Sequence, residues 1–176
     1  MESGTGLGVI GEKMAGIKFL EKNMIQVNYI INQLLTPEIH HRIFDDSVGI
    51  NEIALQLYDM RTIIYGIFEQ GKPEPIGAVW FDSVMPYRNA TLSAVIFDPK
   101  NRAQHKLSPL FEKIKFDIIK RFSIHSFSSY VILPNEDSEA ILKKLGFKKV
   151  GLKEKYVFAN GQYRDLALYY RLAVEV

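Results

Sequence analysis

Between Asn23 and Leu35 the apolar residues Met24, Val27, Ile30, Ile31, Leu34 and Leu35 recur at three- and four-residue steps, the spacing that lays one greasy stripe along a helix. Thr36-Pro37 ends it, because a residue before proline is pushed out of the helical region. Glu38 to Phe44 reads as a short second helix running into Asp45-Asp46, and Ile53 to Met60 as another turn or two. At Thr62 the pattern changes. Thr62 to Glu69 is rich in Ile, Tyr and Phe, Gln70-Gly71-Lys72-Pro73 is a turn, and Pro75 to Asp82 is a second apolar run, so the two predict a hairpin. A third strand spans Ala90 to Phe97 and stops at Asp98-Pro99. Leu107 to Phe122 returns to helical spacing, with Leu110, Phe111, Ile114, Ile118, Ile119 and Phe122 on one side and Lys113, Lys115, Lys120 and Arg121 on the other. Ser128 to Leu133 is a strand closed by Pro134-Asn135, Asp137 to Leu145 a helix capped by Gly146, and two last strands flank Asn160-Gly161.

A strand, a crossover helix and another strand imply local parallel pairing, while the flanking hairpins imply antiparallel pairing. The fold class is therefore α/β: one mixed sheet with helices on its faces, in a single domain over residues 17–176. Residues 1–16 hold Gly4, Gly6, Gly8, Gly11 and Gly16 and are expected to form a flexible glycine-rich leader, or an arm that a protein assembly partner orders.

Composition changes this picture in three places. The chain has no cysteine, which excludes disulfide frameworks, cysteine nucleophiles and thiolate metal sites. Residues 1–99 carry 7 basic against 12 acidic groups and residues 100–176 carry 15 against 8, so the second half favours an anionic partner. No run approaches the ~20 apolar residues of a membrane span, and the first residues lack a secretion signal, so the expected location is cytoplasmic. The lysines at 143, 144, 148, 149, 153 and 155 read as a solvated face rather than a nucleic-acid surface, and the adjacent His40-His41 pair does not suggest a metal site.

The tail carries more information than its periodicity. Asn135 and Ser138, then Lys144-Leu145-Gly146-Phe147 and Gly151, then Asn160-Gly161, Asp165 and Tyr169 form a spaced set that resembles the end of the GNAT superfamily of N-acetyltransferases, in particular members similar to ribosomal-protein acetyltransferases. The element order resembles that superfamily from about Ile17 to Leu172. This resemblance implies an acyl-CoA-dependent N-acetyltransferase with acetyl-CoA as cofactor, no metal, and an amine acceptor. It implies further that strand amides near Val95 and Phe97 hold the pantetheine arm. The pyrophosphate would sit at the start of the following helix, on Arg102, Ala103, Gln104, His105, Lys106, Leu107 and Ser108, where orphan amides and the helix dipole favour an anion. Asn135 joins the set as a cofactor or loop contact or, equally, as the cap of the following helix, and Ser138 joins it with a structural role as the first reading.

The same comparison shows what is altered. His105 and Leu107 stand where the superfamily's phosphate loop carries glycine, while Lys100, His105 and Lys106 offer replacement charge. The glutamate that many members place early on the central strand corresponds to Leu92 or Ser93, and the tyrosine that protonates the leaving thiolate to Leu142, so no catalytic residue is identified. Leu35 to Asp46 resembles the N-terminal segment of GNAT-like proteins encoded by tailed bacteriophages, some of which resemble virion or assembly components. The alternative expectation is therefore a non-catalytic phage accessory protein, in the host cytoplasm or the virion. Asp45-Asp46 reads as a helix-end or turn feature in preference to a base.

Overall fold

The computed structural model describes residues 16–20, 24–69, 71–99 and 107–173, and the backbone alone at 16–20 and 107–109. In chain order the elements are β1 (Gly16–Leu20), α1 (Met24–Leu34), α2 (Pro37–Ile43), α3 (Ile50–Tyr58), β2 (Ile63–Phe68), β3 (Gly77–Asp82), β4 (Asn89–Ile96), α4 (Leu107–Phe122), β5 (Ser126–Ile132), α5 (Glu136–Lys144), β6 (Lys148–Ala159) and β7 (Gln162–Leu172). The strands form one sheet in the order β1-β2-β3-β4-β5-β7-β6. Every neighbouring pair is antiparallel except β4 and β5, which run parallel on either side of the α4 crossover.

The apolar runs of the middle strands show why the sheet is covered twice. On β3, Ala78 and Trp80 face a core built with Val27, Ile30, Leu34, Ile53 and Leu57 of α1 and α3. Val79 and Phe81 face the opposite core, with Leu110, Phe111, Ile114 and Ile118 of α4 and Leu142 and Leu145. A strand buried on both faces reads as a continuous hydrophobic run, as 75–82 does. Where β3 and β4 meet, Gly77 is held to a hydrogen side chain, because a Cβ there would lie 2.5 Å from the Val95 carbonyl oxygen. Among the described residues no helix is long and apolar enough to cross a membrane.

The turn chemistry expected from sequence is present. Gly146, at φ +78°, ends α5, with its N–H on Lys143 and that of Phe147 on Leu142. Asn160 and Gly161 both take positive φ in the β6–β7 hairpin. Three differences stand out. β1 is an additional strand, paired from Gly16↔Phe68 to Leu20↔Ile64, so Gly16 belongs to the sheet and only residues 1–15 of the expected leader lie outside the described residues. Helix α3 begins at Ile50 rather than Ile53, where the Glu52 carboxylate accepts the Gly49 N–H at 2.9 Å and seals the helix start. β5 begins at Ser126, two residues early, because the hydroxyls of Ser126 and Ser128 reach Asn89 Oδ1 at 3.3 and 3.2 Å and fit polar residues into the β4–β5 junction.

Candidate functional site

β4 and β5 pair only at Asn89↔Ser126, Ala90↔Phe127 and Thr91↔Ser128. Beyond Thr91 they part, although β4 continues to Ile96 and β5 to Ile132. A cavity of about 510 Å³ occupies this opening. Its walls come from both faces of the sheet: Leu110, Phe111 and Ile114 of α4 and Ser138, Ile141 and Leu142 of α5 on one side, Ile39, Arg42 and Ile43 of α2 and Gln56 of α3 on the other. The gap therefore connects an α4–α5 side with an α2–α3 side, so two molecules can meet in it from opposite faces.

Strand alternation decides which backbone groups face the gap. Phe97 donates its N–H to Ile76 at 2.9 Å, toward β3, so the odd residues of β4 bond β3 and the even ones turn toward β5. Consistently, the Leu92 carbonyl accepts from Ser129 Oγ of β5 at 3.0 Å. Leu92 closes the last pair, Thr91↔Ser128, so the amide turned to the opening beyond it is that of Ala94. The amides of Val95 and Phe97, the expected pantetheine contacts, lie on the β3 side of the strand. Val95 lines the cavity, and Phe97 stands edge-on to Tyr29 of α1, with ring centroids 6.2 Å apart.

The remaining expected contacts fall into three groups. Arg102, Ala103, Gln104, His105 and Lys106 lie outside the described residues, and Leu107 and Ser108 open α4. Ser138 and Asn135 both line the cavity. Asn135 is also the α5 cap: its Oδ1 accepts the Ser138 N–H at 3.3 Å and Arg42 Nη2 at 2.9 Å, which ties α2 to α5. Leu92, Ser93 and Leu142, the positions lacking the superfamily's acid and base, line the cavity too.

Asp82 was not singled out by sequence reasoning. It ends β3, lines the α2–α3 side of the cavity, and accepts from Gln56 Nε2 at 3.0 Å. Burial raises its carboxyl above the ordinary value, opposed by hydrogen bonds from Gln56 and Ser83. The available signal was a carboxylate closing the run Gly-Ala-Val-Trp-Phe, in a strand that otherwise has no polar residue.

Asp45 and Asp46 form a clamp on the β6–β7 hairpin. Asp45 Oδ2 accepts the Phe158 N–H at 2.9 Å, and Asp46 accepts those of Asn160 and Gly161 at 3.0 and 3.2 Å. His41 Nδ1 lies 2.9 Å from Asp46 Oδ1. His40, His41 and Asp46 place ligand-type atoms within 4.8 Å of one another, yet His40 Nε2 already contacts the Val48 carbonyl at 2.6 Å and both Asp46 oxygens are engaged. Hydrogen bonds hold both carboxyls below their ordinary values, from Ser47 above all at Asp45 and from Gly161 and Asn160 at Asp46. A lowered folded-state value adds stability above the unfolded value and loses it as pH falls through the folded one. Replacing both (Asp45→Asn, Asp46→Asn) is therefore expected to flatten the acid side of the melting-temperature profile. Wild-type and double variant sharing one acid profile would show that the clamp contributes nothing.

A family description, acetyltransferase (GNAT) domain, matches residues 35–168. Among solved structures the chain is similar to spermidine N-acetyltransferase from Vibrio cholerae in complex with CoA and spermine, at 18% identity and TM-score 0.74 over 92% of this chain and 97% of that one. It is also similar to ribosomal-protein-S5-alanine acetyltransferase from Vibrio fischeri, at 15% identity and TM-score 0.72 over 93% and 96% of the two chains. At such identities the likeness is one of fold. No curated protein sequence matches it.

Proposed function

Because the chain belongs to the GNAT acetyltransferase family, matched across residues 35–168, we propose that it is an acyl-CoA-dependent N-acetyltransferase that acetylates an amine. The observation that carries this is the parting of β4 from β5 after Thr91, with the amide of Ala94 turned into a cavity open toward both faces of the sheet. An extended pantetheine arm, itself a chain of amides and methylenes, fits such a strand edge: backbone groups of β4 meet its amides, and Phe111, Ile141 and Leu142 cover its apolar parts. Its phosphates would lie toward the start of α4, where Arg102 and Lys106 supply positive charge.

Acetyl-CoA supplies an acyl group already activated as a thioester. The chain orients the two reactants and excludes water from the apolar walls, a contribution that in well-aligned systems reaches roughly 7 to 11 kcal/mol. The Ala94 amide also places a donor where negative charge develops on the acyl oxygen. The acceptor must be neutral to attack, and an alkyl ammonium has a pKa of about 10.4. With no acid or base at Leu92, Ser93 or Leu142, deprotonation is left to solvent, so the rate is expected to rise with pH toward the amine's own pKa.

The similar structures suggest two acceptor classes, a polyamine and a protein alanine, the second represented in the test by a peptide with a free N-terminal alanine. The test is release of free CoA thiol on mixing the protein with acetyl-CoA and each class, with the acetylated product identified by mass. Amine-dependent thiol release above the protein-free rate supports the proposal. Saturating amine without thiol release, together with no binding of acetyl-CoA, would instead favour the non-catalytic assembly role that the bacteriophage resemblance suggests.

A further inference from the structure

The α2–α3 side of the cavity holds a carboxylate that positioning of the thioester does not use. Asp82 lies opposite Thr91 in the β3–β4 ladder, level with the point where β4 and β5 part. Its hydrogen bonds come from neutral groups, Gln56 of α3 and the adjacent Ser83, and among the described residues no cation acts on it. Arg42 is the cationic side chain of the described lining, and its guanidinium is engaged by Asn135 at 2.9 Å and Asp137 at 3.5 Å. Asp137, the other carboxylate of the lining, is 66% exposed and carries that contact with Arg42.

A carboxylate withdrawn from water without a counter-charge is costly to keep ionised, and two neutral donors offset only part of that cost. A cation arriving in the cavity recovers the rest. Elsewhere in the described chain the acidic groups near apolar surface have found their partners: Asp117 holds Tyr65 and Arg121, and Glu139 holds Tyr169 and Lys149. Asp82 differs in facing an open volume.

We propose that Asp82 anchors a second, non-reacting ammonium group of the acceptor, so that the substrate class is a diamine or polyamine and not a peptide N-terminus. This rests on the acetyltransferase reading. The reacting nitrogen then lies toward the β4–β5 gap while the anchored one stays against Gln56 and Asp82. A charge-assisted contact in a partly desolvated site discriminates strongly against an otherwise similar acceptor lacking the second charge.

The experiment is initial-rate kinetics at saturating acetyl-CoA with two probes of equal length, diaminobutane and butylamine. In wild-type protein the KM for diaminobutane is expected to be about tenfold lower than that for butylamine. Asp82→Asn, which keeps the shape and a hydrogen bond to Gln56, is expected to erase that preference by raising the diamine KM. The readout is the ratio of the two KM values within each protein, and a melting curve reports whether the variant is folded. Should Asp82→Asn fail to fold, Gln56→Met removes the group that fixes the carboxylate and is expected to weaken the preference about threefold. Equal KM values for the two probes in wild-type protein, or a diamine preference that survives Asp82→Asn, overturn the anchor. Acetyl-CoA binding with acetylation of peptide N-termini alone overturns it and leaves the acetyltransferase reading standing. Absence of both acetyl-CoA binding and transfer overturns the two together.

Discussion

Ala94→Trp is expected to leave the protein folded and to weaken acetyl-CoA binding by at least a hundredfold, about 2.8 kcal/mol. Ala94 belongs to the stretch of β4 that has left β5, is exposed, and lines the cavity. A bulky ring at 94 is accommodated by that opening, so the overpacking penalty of a filled core does not apply. The same ring occupies the strand edge where the pantetheine arm is placed and covers the amide turned toward it. Calorimetric titration of the variant reads the affinity, and a melting curve within a few degrees of wild-type shows that the fold is intact. Unchanged affinity in the folded variant would put the arm elsewhere.

Phe127→Ala is expected to cost about 3 to 5 kcal/mol of stability. Phe127 is completely buried on β5, at the pairing with Ala90 just before the strands part. Its ring centroid lies 5.7 Å from that of Phe81 on β3 and 6.4 Å from that of Phe111 on α4, and Phe111 in turn meets Phe147 at 6.1 Å. Removing Phe127 leaves a void among rings held by β3, α4 and the turn between α5 and β6, which cannot close together. The loss should appear as a lower urea midpoint at unchanged slope. A cost under about 1 kcal/mol would mean that the site collapses and that the junction does not depend on this cluster.

Local chemistry was the legible part of the fold. The apolar stripe at Leu110, Phe111, Ile114 and Ile118, the positive-φ positions Asn160, Gly161 and Gly146, and the parallel β4–β5 crossover follow from period and turn preference alone. β1 was hidden because Gly16–Leu20 is short and adjoins a glycine-rich stretch, so only its partner β2 reveals it. The strand that borders the gap was legible, and the phase of its hydrogen bonds was not. Whether Val95 or Ala94 turns its amide to the opening depends on hydrogen-bond phase, which the register of β3 against β4 sets and a single strand does not carry. The roles of Asp45, Asp46 and Asp82 depend on contacts across 113, 114 and 26 residues of sequence respectively, beyond the reach of any periodic signal.

The central claim is that the opening between β4 and β5 receives acetyl-CoA, and a calorimetric titration of the wild-type protein with acetyl-CoA tests it most directly. The expected result is saturable one-site binding at micromolar concentrations, with the desacetyl form, CoA, competing for the same site. No heat of binding at millimolar acetyl-CoA, from protein whose melting curve shows it to be folded, would contradict it.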